Sequence, residues 1–156
     1  MKFLDEIKIF VKSGNGGSGC CSFRREKFVE YGGPDGGNGG KGGDVILKTS
    51  NSLNTLIDYR YKPHCIAKDG KPGMKKNKTG KNGTDFIINV PLGTEILMDD
   101  KQTLIKDLSK KNEQIIIAFG GDGGLGNINY KSSTNRSPRK FTKGEKGEEK
   151  WLYLKL

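Results

Sequence analysis

Glycine recurs every third residue through GGPDGGNGGKGGD at residues 32–44, first as Gly33, Gly36, Gly39 and Gly42 and again, one position later, as Gly37, Gly40 and Gly43. Neither an α-helix nor a β-strand has that period, and glycine weakens both through its backbone entropy. A polyproline II helix has three residues per turn and accepts glycine wherever another backbone must lie against it. The stretch is therefore expected to be an extended left-handed leg, packed against others of its kind.

The same spacing returns at Gly14 and Gly17, Gly70 and Gly73, Gly80 and Gly83, Gly120 with Gly123 and Gly126, and Gly144 and Gly147. That makes six legs. An isolated polyproline II segment has no internal hydrogen bonds, so six of them must hold one another through N–H and C=O groups that meet across glycine faces. A flexible glycine-rich linker would explain abundant glycine but not a period shared by six segments.

Seven stretches read as strands by alternation and β-branched content: residues 3–12, 44–49, 86–91, 94–98, 103–108, 114–119 and 150–156. Residues 54–61 admit either a turn of helix or an irregular strand. The legs leave and rejoin these strands three times, along excursions at 14–43, 70–83 and 120–147. Segments 1–13, 44–69, 84–119 and 148–156 then form an all-β base, expected as a closed barrel because closure removes edges. Apolar residues other than glycine make up only 32%, and 24 of the 156 residues are glycine, so part of the chain can build an ordinary core and part cannot. The 24 glycines in 156 residues fall short of the one-third that collagen requires.

Charged residues among the first twenty positions leave no signal peptide, and the longest apolar run is too short to span a bilayer. Three cysteines, Cys20, Cys21 and Cys65, make a poor disulfide framework and point to a reducing compartment, so a soluble cytoplasmic protein is expected. The positive charge is localised. Residues 60–83 carry +7 and residues 131–146 carry +5, leaving −2 for the remainder of the formal +10. Such patches suit a polyanionic partner, although charge alone fits solubilising loops as well.

Several motifs lead nowhere. G-x-G-x-x-G occurs three times, at Gly14, Gly37 and Gly121, but two overlapping glycine registers generate it unaided, and no helix pattern follows the third copy. GGKGGDVIL at residues 39–47 fits a calcium-binding nonapeptide, yet stands alone in a cationic chain. No G-x-x-x-x-G-K-[ST] is present. His64 and Cys65 lack the spacing of a zinc module, so no metal, cofactor or catalytic set is assigned to this chain.

The tips of the three excursions carry the chemistry. The first holds Phe23, Arg24, Arg25, Lys27, Phe28 and Tyr31; the second Lys75, Lys76 and Lys78, with Lys81 just behind; the third Arg136, Arg139 and Lys140 in an Asn/Ser/Thr-rich loop. Cationic side chains on projecting loops contact phosphates, and neighbouring amides and hydroxyls bond ribose or base edges. With no groove-reading helix apparent, structured RNA is the expected partner rather than DNA.

SFRREK at 22–27, GGPDGGNGGKGGDVIL at 32–47, LNTLIDYRY at 53–61, GGDGGLGN at 120–127, STNRSPR at 133–139 and GEKGEE at 144–149 resemble the amino-terminal domain of the Obg family of ribosome-associated GTPases, across essentially the whole chain. The resemblance implies six polyproline II helices on an eight-stranded β-barrel, binding to the large ribosomal subunit with the tips near its peptidyl transferase centre, and a GTPase domain beyond residue 156. GTP, Mg²⁺, late subunit assembly and the stringent response would belong to that longer protein. Lys75 and Thr79 stand where family members often carry glycine and histidine, so the second tip is expected to turn differently, and Cys21 replaces a more usual aliphatic residue. The leading expectation is a monomeric, non-catalytic RNA-binding domain. The alternative is a rigid interaction or regulatory module that contacts the GTPase domain or a partner protein.

Overall fold

The computed structural model describes residues 6–25, 32–50, 56, 59 and 62–156. Eight strands follow in order: β1 Glu6–Lys12, β2 Val45–Thr49, β3 His64–Ile66, β4 Phe86–Val90, β5 Thr94–Met98, β6 Leu104–Leu108, β7 Gln114–Ala118 and β8 Glu149–Lys155. Seven coincide closely with the stretches read from alternation. Strand β3 has only three residues, too few for a period-two pattern to register. Of residues 54–61, only Leu56 and Tyr59 lie among the described residues; Leu56 is fully buried, and the Tyr59 hydroxyl donates to the Asn89 carbonyl at 2.6 Å.

The strands form two sheets, β3-β1-β8-β5-β6 and β4-β2-β7, rather than the expected closed barrel; no ladder joins the two among the described residues. Inward residues of both sheets share one core, including Ile9, Val11, Val45, Leu47, Ile88, Ile96, Leu152 and Leu154. The reason for two layers lies in the excursions. Strands β1, β3 and β7 depart toward the legs, and β2, β4 and β8 return from them. Each departing strand and its returning partner sit in different sheets, so every excursion straddles the core. The same logic sets strand direction: two departing strands, β1 and β3, pair parallel, as do two returning ones, β2 and β4, whereas β1–β8 and β2–β7 are antiparallel.

Beyond the strands the pairing continues without interruption into the legs. Leg 1 (14–20) donates from Gly14, Gly17 and Cys20 to the carbonyls of Gly43, Gly40 and Gly37 in leg 2 (35–43), at 2.8–2.9 Å. It also donates from Gly16 and Gly19 to leg 6 (142–148), and accepts from Gly70 and Gly73 of leg 3 (68–74) and from Gly121 and Gly124 of leg 5 (120–126). Leg 2 likewise bonds four neighbours, including leg 4 (78–84), whose Gly80 and Gly83 donate to the Asn38 and Lys41 carbonyls. Legs 1 and 2 are thus the centre of the bundle. The three-residue step of every series is that of polyproline II.

Glycine serves space here, not turning. No leg glycine has a positive φ; among the described glycines only Gly93, in a hairpin, does. A Cβ placed on any of the 24 glycines except Gly33 and Gly93 would come within 3.0 Å of a neighbouring backbone atom. In leg 2, Gly36, Gly39 and Gly42 face the carbonyls of leg 1, and Gly37, Gly40 and Gly43 those of leg 4. The third register, Asp35, Asn38, Lys41 and Asp44, keeps its side chains and uses them as fasteners. Asn38 Oδ1 accepts from Gly126 N–H at 2.9 Å, and Asp44 Oδ1 from Gly120 N–H at 2.7 Å. The pattern PDGGNGGKGGD is the projection of two crowded faces and one open one.

Candidate nucleic-acid interface

Because the legs run in register, all three tips emerge at one end. They are also joined to each other. Asn127, fully buried at the start of a short 3-10 helix (Asn127–Tyr130), donates through Nδ2 to the Ser22 carbonyl at 2.8 Å and to the Pro138 carbonyl at 3.1 Å. Its Oδ1 accepts from Gly36 N–H at 2.9 Å. One side chain therefore pins the first tip, the third tip and leg 2 together. Asp35 does the same for the first and second tips: Oδ1 accepts from Ser22 Oγ at 2.5 Å, Oδ2 from Lys76 N–H at 3.2 Å, and its carbonyl from Asn77 N–H at 2.6 Å. Buried Asn127 and partly buried Asp35 give no cationic signal in the sequence. For Asp35, its place in the glycine-free register is the available clue; Asn127 falls instead in the register of Gly121 and Gly124, where a side chain stands out.

The second tip is a tight turn closed by Met74 N–H donating to the Lys78 carbonyl at 2.9 Å. Lys76 and Asn77 adopt φ of 62° and 54°, the left-handed region that side chains other than Asn rarely occupy. Lys75, Lys76 and Lys78 are all exposed there. In the first tip, Phe23 pairs across to Pro34, and Arg24 and Arg25 are exposed. Lys27, Phe28 and Tyr31 lie outside the described residues. In the third tip, Arg136, Arg139 and Lys140 are exposed, the Arg139 carbonyl accepts from Cys21 Sγ at 3.5 Å, and Lys140 Nζ sits 4.8 Å from the centre of the Tyr130 ring. Lys81 is elsewhere: it stands on the shaft, lining a groove of about 490 Å³ with Lys68 and Lys71.

Charge is partitioned along the molecule. The ion pairs of the described residues engage Lys8, Lys12, Lys101, Lys106 and Lys150 of the base and Lys41 of leg 2. Among the described residues no ion pair involves Arg25, Lys75, Lys76, Lys78, Lys81, Arg136, Arg139 or Lys140. At the base, Cys65 is fully buried and its thiol is pushed up to about 11 by that burial, while its neighbour His64 turns outward against the rings of Phe10 and Trp151, at 5.5 and 6.0 Å. Among the described residues no three His, Cys, Asp or Glu side chains gather as a metal site, and no helix is long and apolar enough to cross a membrane.

Residues 4–156 match the family model described as GTP1/OBG. The chain is 58% identical over all 156 residues to the GTPase Obg of Pelagibacter ubique (strain HTCC1062), of which it covers 48%. It thus spans about half the length of that relative. The glycine lattice that this chain folds into and the match across nearly its full length agree: the chain belongs to the GTP1/OBG family and corresponds to the Obg amino-terminal domain.

Proposed function

We propose that this chain is the non-catalytic ribosome-binding part of an Obg-type GTPase, its three basic tips contacting RNA of the large ribosomal subunit. The observation that carries the reading is where ion pairs fall: Lys8, Lys12, Lys101, Lys106 and Lys150 of the base are paired with carboxylates, whereas among the described residues no ion pair engages Arg25, Lys75, Lys76, Lys78, Arg136, Arg139 or Lys140, all of them exposed. A bundle locked by backbone hydrogen bonds presents them on a narrow, stiff end, suited to a confined polyanionic cavity. The catalytic half of such a protein, with its phosphate loop, GTP and Mg²⁺, lies beyond residue 156, and hydrolysis there governs a role in late subunit assembly and stress response. The protein acts as a cytoplasmic monomer. Co-sedimentation with large subunits across a salt series tests the RNA contact. Each phosphate neutralised contributes about 0.7–0.9 to the slope of log K against log salt. Alanine at Lys75, Lys76, Lys78, Arg136, Arg139 and Lys140 flattens that slope; an unchanged slope refutes the reading.

A second reading, contact with the GTPase domain or a partner protein, has its own observation. On the outer face of the base Phe10, His64 and Trp151 form a ring cluster, with Trp151 41% exposed and Lys8 Nζ 5.1 Å from its ring centre. As Trp151 is the sole tryptophan, its emission reports directly on docking of a separately produced GTPase domain.

A further inference from the structure

Between the first and second tips lies a groove of about 470 Å³, lined by Cys21, Ser22, Phe23, Arg25, Asp35, Lys75 and Lys76. Its volume falls within the roughly 300–1,000 Å³ of small-ligand clefts. Among the described residues its chemistry is mixed in a particular way: one aromatic ring, three cationic side chains and one carboxylate. The cations are exposed, and Phe23 is half-buried, held by its backbone pairing to Pro34. The floor is fixed, because Asp35 bonds both walls, Ser22 on one side and Lys76 and Asn77 on the other. Each Asp35 carboxylate oxygen still has acceptor capacity left over.

A purely electrostatic phosphate track would need neither a ring nor an acid. A ring, an acceptor and phosphate-binding groups lining one groove are instead what recognition of a single unstacked nucleotide requires. We infer that this groove is a subsite for one unpaired nucleotide of the bound RNA. Its base stacks on Phe23, its exocyclic amino group donates to Asp35, and its phosphate is held by Arg25, Lys75 and Lys76. An amino-bearing base, cytosine, adenine or guanine, is favoured over uracil. The inference rests on the RNA-binding reading and sharpens it from charge to stacking.

The test uses the 156-residue chain at low salt with hexacytidylate RNA, an abasic ribose-phosphate hexamer of equal charge, and free CMP. The unsubstituted protein binds hexacytidylate about tenfold more tightly than the abasic hexamer, in line with stacking on one ring. Phe23→Leu brings the two within about twofold. Lys75→Gln with Lys76→Gln weakens both hexamers alike and leaves their ratio intact. Equal affinity for the two hexamers in the unsubstituted protein overturns the subsite while leaving RNA binding standing, and that comparison holds even where Phe23→Leu fails to fold. An unchanged ratio in folded Phe23→Leu also overturns it. CMP binding as tightly as the hexamer assigns the groove to a free nucleotide and overturns the RNA source. Failure of hexamers and large subunits alike to bind removes the RNA-binding reading itself, and the subsite with it.

Discussion

Asn127 Nδ2 donates to the Ser22 carbonyl at 2.8 Å, joining the third tip to the first across 105 positions of sequence. Both residues are buried, so the bond is made in a setting where leaving a partner unsatisfied is costly. Asn127→Ala strands the Ser22 and Pro138 carbonyls and the Gly36 N–H together. The expected loss is about 3 kcal/mol of unfolding free energy, or roughly 6–12 °C in Tm for a chain of this size. Calorimetry measures it; a loss below about 1 kcal/mol would mean the tips are held by the legs alone.

Two glycines separate crowding from backbone freedom. A Cβ at Gly39 runs into the Gly17 carbonyl, whereas one at Gly33 meets, among the described residues, only the movable Lys131 Nζ, at 3.5 Å. Gly39→Ala is expected to destabilise by about 3 kcal/mol or more, since two backbones must part, and Gly33→Ala to shift stability by no more than about 0.5 kcal/mol. Urea midpoints of the two variants give the comparison, and similar values would contradict the packing account.

At the second tip, folding and binding pull in opposite directions. Lys76 holds φ at 62°, which glycine adopts without steric penalty. Lys76→Gly is expected to raise stability by about 0.5–1 kcal/mol and to weaken binding to large subunits by removing a cation. A variant that binds as before would take Lys76 out of the interface.

Asp44 supplies a pH dependence with a definite sign. Burial disfavours its carboxylate, but the Lys41 ammonium at 2.7 Å and the Gly120 N–H outweigh that and hold its pKa below 3.8. Folding therefore favours the ionised form. The contribution is complete above the ordinary carboxyl value and is lost as pH falls through the lowered one. Asp44→Asn should cost about 1 kcal/mol at pH 7 and progressively less toward pH 2, read from denaturant midpoints at the two pH values.

How much of this was legible in the sequence depends on the length of the pattern. The three-residue glycine period names the legs because it persists through residues 32–44 and recurs in five other segments. The seven longer strands declare themselves by alternation, as in β1, or by short apolar, β-branched runs, as in β7. Strand β3 is too short to do so, and closure of the base was misjudged because pairing between non-consecutive strands leaves no local trace. Among the expected contact residues, composition separates the cationic tips but cannot say that Lys81 stands on the shaft beside Lys68 and Lys71. Asn127 and Asp35 do not show as fasteners because their partners, the Ser22 hydroxyl apart, are backbone groups, which every residue carries.

The repeat of contacts every third residue makes leg length a quantised variable. Losing or gaining one residue in leg 2 would rotate Gly36, Gly39 and Gly42 away from leg 1 and swing Asn38 or Lys41 into a space that admits no side chain. Losing three, matched in the legs it touches, would only shorten the tower by one turn, about 9 Å. Reach can therefore be altered in whole turns, with every neighbour keeping step.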